Sequence, residues 1–162
     1  MPAVQLLQIF PKKKSTDIGS VKTAPELALD ANPKDDHQAL QETCDNLRRT
    51  IQEVRRKAAT VVEVAIVGDF NRHDQLWGED NVSARRQGEA DLIIDLMNEF
   101  ALSSLLRRGT KTWRGGDHET TINLVLASKE LEDATLKCTV YGTEHGSDHR
   151  TLETVGLSRP EP

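Results

Sequence analysis

Three short stretches of this chain carry side chains that could do chemistry on a phosphate. The first is Gly68-Asp69-Phe70-Asn71. It follows a run of β-branched residues, so Asp69 falls at the C-terminal end of a strand. A carboxylate there can bind a hard cation such as Mg²⁺ or accept a proton from an attacking water. If the chain stays extended, the Asn71 amide projects to the same side and can donate to a phosphate oxygen. A plain turn is the competing reading, because Gly, Asp and Asn are the usual residues where a strand ends.

The second stretch is Gly146-Ser147-Asp148-His149. Adjacent Asp and His can set a metal-binding or water-activating carboxylate beside a phosphate-contacting imidazole. His145 and His149 also stand four apart, which on a helix would suit zinc. The intervening Gly-Ser opposes a helix, however, and no Cys or third His accompanies the pair. A loop without chemistry is the alternative. The third stretch is Thr112-Trp113, followed by Thr120-Thr121-Ile122-Asn123-Leu124-Val125-Leu126. Arg107, Arg108, Lys111 and Arg114 flank the tryptophan. Cations around one aromatic can lie along a phosphate backbone, and a solvated basic loop is the alternative.

The elements that must position these groups are legible from periodicity. Val61-Val62-Glu63-Val64-Ala65-Ile66-Val67 reads as a strand buried on both faces and ending at Gly68. Upstream, residues 4–10 form a short apolar run compatible with a strand, closed by Pro11 and a basic loop, Lys12-Lys13-Lys14. Residues 16–31 have a helical pattern, with Pro25 suited to the first helical position. After the polar break at 32–36, Leu40, Cys44, Leu47, Ile51, Val54 and Ala58 recur at spacings of four and three. They make one apolar stripe on a helix that packs by a single face; a self-associating coiled coil is the sharper but less supported reading. A helix is expected over 86–102, with Ala90, Ile93, Ile94, Met97 and Ala101 along one face. Short strands are expected near 103–106, 121–126, 136–141 and 151–155, with a polar connection at 128–134. Mixed helices and short strands place the chain in an α+β or α/β sandwich class.

Composition narrows the function classes. The 162 residues suffice for one domain, with 36% hydrophobic, 4% aromatic and 29% charged residues. No window reaches the roughly 18 apolar residues of a membrane span. The opening MPAVQLLQIFPKKK puts its charge after the apolar run and has no small-residue cleavage site, which argues against a signal peptide. Cys44 and Cys138 make no CxxC and read as reduced packing residues, so an intracellular location, nuclear or cytoplasmic, is expected. Asn81-Val82-Ser83 is a formal glycosylation sequon without meaning in that setting. The net charge of −5 disfavours gripping nucleic acid by bulk charge. It leaves a nuclease open, because metal-binding carboxylates are neutralised when the cation arrives.

Taken in order, GDFN, HDQLWG, a helix, TW…TTINLVLAS and GSDHR resemble the C-terminal part of the endonuclease/exonuclease/phosphatase superfamily. The resemblance is closest to the endonuclease domain of non-LTR, LINE-type retrotransposons. It covers about 64–155, and 5–36 look weakly like the stretch upstream of GDFN. Four segments follow from it: 1–36, a weakly family-like strand and helix; 37–60, an inserted amphipathic helix; 61–156, the family-like C-terminal part; and 157–162, a tail. The resemblance implies a DNase I-like α+β fold, two β-sheets packed face to face and flanked by helices, with the N-terminal half missing here. It implies Mg²⁺-dependent (or Mn²⁺-dependent) hydrolysis of a DNA phosphodiester by in-line attack of water, the nick leaving a 3′-OH that primes reverse transcription. By the same resemblance, Asp69 orients or deprotonates the water and Asn71 holds the scissile phosphate. Asp148 sits at the metal with Asp69, and His149 binds the phosphate and stabilises developing charge. His73, Asp74 and Trp77 match a variable segment that touches DNA or simply packs its loop. DNA is the implied partner, without a membrane.

Two departures from the family bear on activity. Where the family has Asp in its strand, this chain has Asn123. That Asp fixes the tautomer of the active-site His and stabilises its cation, whereas Asn is neutral. A comparable Asp→Asn change in a serine-protease triad lowers kcat about 10⁴-fold, so a loss of about two to four orders is expected here by analogy. The family's first half also supplies a metal-binding Glu, and neither Glu26 nor Glu42 resembles it. Mg²⁺ held by Asp69 and Asp148 alone is expected to be weak. An impaired endonuclease and a non-catalytic nucleic-acid-binding remnant are therefore the two readings, with a phosphomonoester or phospholipid substrate as a third.

Overall fold

The structure is a computed structural model that describes residues 5–11, 33–59, 61–80, 82–142 and 146–156. The expected Lys12–Lys14 loop, the helix within 16–31, and His145 lie outside the described residues. Among the described residues eight strands and three α-helices are intermixed in an α+β arrangement. The central sheet has four strands, β1 (Gln5–Pro11), β2 (Val62–Asp69), β3 (Leu102–Ser104) and β6 (Asn123–Ser128), in the order β1-β2-β6-β3. Every neighbouring pair is antiparallel. Two hairpins accompany it, β4 (Trp113–Gly115) with β5 (His118–Thr120), and β7 (Thr135–Val140) with β8 (Leu152–Gly156). Among the described residues no helix is long and apolar enough to cross a membrane.

The stripe helix, α1 (Pro33–Lys57), does pack by one face. It begins at Pro33, about two turns before Leu40, so the expected polar break at 32–36 is mostly helical. The fixed φ of proline suits a first helical position. Leu40, Cys44, Leu47 and Ile51 are buried, with Val54 and Ala58 partly buried against the same core. The fully buried Leu40, Leu47 and Ile51 each stabilise the fold by about 1.5–3 kcal/mol relative to leaving them exposed. The thiol of Cys44 is pushed up to about 11 by this burial, which makes it a packing group, not a nucleophile. Arg48 Nε donates to Glu99 Oε2 at 2.6 Å, and the Arg55 guanidinium lies 5.2 Å from the Phe100 ring centroid. Both contacts tie α1 to α2 (Asp91–Phe100).

The helix expected over 86–102 is shorter than its pattern. Gly88 adopts φ +80°, which ends the preceding 3₁₀ turn (Ala84–Arg86) and delays α2 to Asp91. At the other end Ala101 turns left-handed at φ 52° and its N–H closes on the Met97 carbonyl, so Ala101 is a cap instead of a face residue. The buried residues within α2 are Ile93, Leu96 and Phe100.

β2 also departs from expectation. Val62, Val64 and Ile66 are buried while their alternates are only half-buried, so the strand buries one face. β6 is the strand buried on both faces, from Leu124 to Ser128. β1, β3, β6, β7 and β8 form within two residues of their expected places, whereas the β4–β5 hairpin around Gly115-Gly116 has no counterpart among the expected strands. The polar connection at 128–134 contains a short helix, α3 (Lys129–Ala134).

Candidate active site

Strand pairing places the first two groups. β2 and β6 run in register Ile66↔Leu126, Gly68↔Leu124 and Asp69↔Asn123. Because side chains alternate along a strand, Ile66, Leu124 and Leu126 share the face covered by α1 and α2, while Asp69 and Asn123 share the opposite face. Just beyond, the Phe70 N–H donates to the Ile122 carbonyl at 3.0 Å and its ring enters the core. The chain does not stay extended: Asn71 is left-handed at φ 46° and its N–H donates to Asp69 Oδ1 at 2.9 Å. Asn is among the few residues that hold this conformation readily. The turn reading of GDFN therefore holds, and Asp69 and Asn71 both line one cavity.

The remaining groups arrive with the 148–150 segment, which lies along β4. The Arg114 N–H donates to the Asp148 carbonyl and the Arg150 N–H to the Thr112 carbonyl, both at 2.8 Å, with an antiparallel bridge between Trp113 and His149. Thr112 is fully buried, and its hydroxyl accepts the N–H groups of both Ile122 and Asn123 at 3.0 Å. One threonine therefore locks β6 at Asn123 and, through its carbonyl, the strand that carries His149. His149 Nδ1 stands 3.3 Å from Asn123 Oδ1, and His149 Nε2 stands 3.8 Å from Asp69 Oδ2. The first is a hydrogen bond when Nδ1 carries the proton. The second is too long for one and is a charge contact only when the ring is protonated.

The two carboxylates differ electrically. Burial pushes the Asp69 carboxyl up, with the Asn71 N–H and His149 pulling the other way. Asp148 is held down, chiefly by the Trp113 indole N–H that donates to its Oδ2 at 3.0 Å. Trp113, expected along a phosphate backbone, is half-buried and spends its N–H on that carboxylate. A Cβ at Gly115 would run into the Trp113 ring, so the glycine makes room for the indole.

Asp69, Asn71, Trp113, Asp148 and His149 line a cavity of about 820 Å³. A second cleft of about 400 Å³ includes Asp69, Asn123, His149 and Leu152 in its walls. Among the described residues no group of three His, Cys, Asp or Glu side chains could hold a metal ion. Asp69 and Asp148 face the same cavity, and Asp148 is one of the charges that raise the Asp69 carboxyl. Two carboxylates suit Mg²⁺, which commonly takes only one or two and completes its shell with water and phosphate oxygens. The donor set fits a cation that arrives with a phosphate, not one held by protein alone.

The basic loop is more committed than its sequence implies. Arg108 pairs with Asp80 and the Gln75 carbonyl, and Lys111 Nζ lies 2.6 Å from Glu79 Oε1. Arg107 and Arg114 are exposed. Trp77 is buried in the core and its indole N–H donates to the Arg72 carbonyl at 3.2 Å, so it packs the loop. Asp74 accepts the Leu76 N–H at 2.8 Å and lines the cavity with His73. Sequence reading missed the clamping roles of Thr112 and Glu89. Glu89 Oε1 takes both the backbone N–H and the Nδ1 of His73, each at 2.7 Å, and so fixes the loop after Asp69. Burial pushes the His73 imidazole below its ordinary range, against the pull of Glu89.

Over residues 31–153 the chain matches the family described as Endonuclease-reverse transcriptase. No curated protein and no solved structure matches it.

Proposed function

The chain belongs to the endonuclease-reverse transcriptase family, and from that premise we propose that its cavity binds a DNA phosphodiester and hydrolyses it by attack of water, at a rate held down by Asn123. One observation carries this reading. Asp69, Asn123 and the Asp148–His149 pair come from three separate segments and meet at one site, with His149 at 3.3 Å from Asn123 and 3.8 Å from Asp69.

Asp69 is the group suited to orient and deprotonate the water, since partial burial makes it a better base than a solvated carboxylate. Asn71 is held beside it by the turn that its own N–H closes on Asp69. His149, its Nδ1 proton given to the Asn123 oxygen, presents Nε2 toward Asp69 and the cavity, where a phosphate oxygen would take its proton. Asn123 holds the ring but carries no charge, so it stabilises the imidazolium less than a carboxylate in that place. Asp148, anchored by Trp113, stays ionised and keeps negative charge at the rim. Asp69 and Asp148 would hold a Mg²⁺ that, when bound with substrate, polarises the phosphoryl oxygens and offsets their charge. In a retrotransposon setting the 3′-OH left by such a nick is a primer for reverse transcription.

Nicking of supercoiled plasmid in Mg²⁺ tests the reading, with Asp69→Asn and Asp148→Asn as controls. Nicking that both substitutions abolish supports a hydrolase. Salt-sensitive DNA binding without any nicking supports the second reading, a non-catalytic nucleic-acid-binding module, which the neutral Asn123 and the two-carboxylate donor set favour.

A further inference from the structure

We infer that Arg150 and Glu119 are positioning residues whose ion pair braces His149 against the β4–β5 hairpin and keeps motion of the β7–β8 hairpin from reaching the ring. The inference rests on the reading above that His149 serves the reaction at this cavity.

The segment that carries His149 leads into a weakly held element. β8 begins two residues after Arg150, and its hairpin with β7 contains no buried residue. Leu136 and Val155 within it are exposed. A lone two-stranded hairpin is marginally stable in water, so its fluctuations pull on the chain that enters it. On the other side of His149, Gly146 and Ser147 are exposed and Gly146 is left-handed at φ 72°. Order at the ring therefore has to come sideways, from β4 and β5.

The backbone supplies part of that order, through the Arg114 N–H to the Asp148 carbonyl and the Arg150 N–H to the Thr112 carbonyl. The ion pair supplies the rest from the far side. By register, Trp113, Thr120 and His149 share one face of this small sheet, while Arg114, Glu119 and Arg150 fall on the other. On that second face Arg150 Nη2 donates to Glu119 Oε1 across β4. Arg114 stands directly opposite Glu119, yet the carboxylate goes past it to the outer segment. A pair with Arg114 would join β4 and β5 alone, whereas the pair with Arg150 ties the His149 segment to both. The two side chains keep 37% and 38% of their exposure, so the pair contributes little to overall stability. Its effect is local: it stops the chain beside His149 from following the hairpin.

The test measures backbone ¹⁵N relaxation and Mg²⁺-dependent plasmid nicking in parallel on the full chain. In the wild type the His149 amide is expected to be as ordered as Trp113, with an order parameter of about 0.85. Glu119→Ala and Arg150→Ala should each lower His149 toward about 0.6 and leave Trp113 and Thr120 unchanged. Each should shift the melting temperature by no more than about 4 °C. Arg150→Lys, which keeps the charge, should hold most of the order. Nicking should fall about tenfold to a hundredfold in both Ala variants, through kcat with KM unchanged. An unchanged order parameter would overturn the brace. So would a loss of order spread through β4 and β5, the mark of a merely structural pair, or full nicking by a chain whose His149 has loosened. A wild-type chain that nicks no plasmid sinks the hydrolase reading instead, and the relaxation measurement still decides the brace.

Discussion

On the face of β2 and β6 turned toward α1 and α2, Val64, Ile66, Leu124 and Leu126 are sealed completely, whereas on the opposite face the neighbouring rung holds Asp69 and Asn123 in the wall of the second cleft. The two faces differ by one residue of register. A slip of one position would send Asp69 into the hydrocarbon core and Ile66 to the cavity. The apolar face therefore does more than stabilise: it fixes the rung on which the carboxylate stands. The opposite face also buries Val125 and Ala127, but it ends on Asp69, a group whose burial costs the fold.

The comparison is tested most severely at the rung itself. Asn123→Asp is expected to raise Mg²⁺-dependent plasmid nicking by about two to four orders, roughly 3–5 kcal/mol of barrier. It restores a charged partner 3.3 Å from His149 Nδ1 while leaving the apolar face untouched. Nicking that stays at the Asn123 level in an otherwise folded protein would show that His149 is not the limiting group.

Two adjacent truncations on β2 sharpen the same contrast. Ile66→Ala opens a cavity under α1 and α2 and should cost about 2–5 kcal/mol in denaturant unfolding. Val67→Ala, on the half-buried opposite face, should cost about 1 kcal/mol. Equal losses would mean that the two faces are packed alike.

What was legible beforehand divides along the same line. The apolar stripe of α1 and the β-branched run of β2 declare themselves because burial imposes a period, 3.6 or 2, on the sequence. GDFN and GSDHR stood out as residue types, and the structure brings them to one site. The long-range ties were not legible. Nothing local says that the Thr112 hydroxyl will accept two β6 N–H groups, or that Glu89 will grip His73 from 16 residues away. Trp113 was read for its aromatic face, but its N–H meets a carboxylate 35 residues along the chain. α2 starts later than its pattern implies because Gly88 takes a positive φ inside an otherwise helical pattern. These are tertiary choices, made by a partner that the local sequence does not contain.

The smallest expected effect is the most informative about the polar face. Asp69 is easier to protonate in the folded chain than in the unfolded one, chiefly because it is partly buried. Ionisation therefore penalises folding. The penalty is absent below the ordinary carboxylate range, grows as pH rises toward the raised folded value, and holds constant above it. Asp69→Asn removes the charge but keeps an oxygen for the Asn71 N–H. With metal chelated at neutral pH it should raise the melting temperature by about 2–4 °C, or roughly 1 kcal/mol. The gain should vanish on acidification through the carboxylate range. Under the proposed reading, in which Asp69 and Asp148 together take the cation, added Mg²⁺ should stabilise the wild type and not the variant, reversing their order. A variant less stable than wild type in chelator would mean that the Asn71 hydrogen bond and His149 outweigh burial. Asp69 would then be a favourable part of the fold, and the separation of the two faces would fail at the residue that defines it.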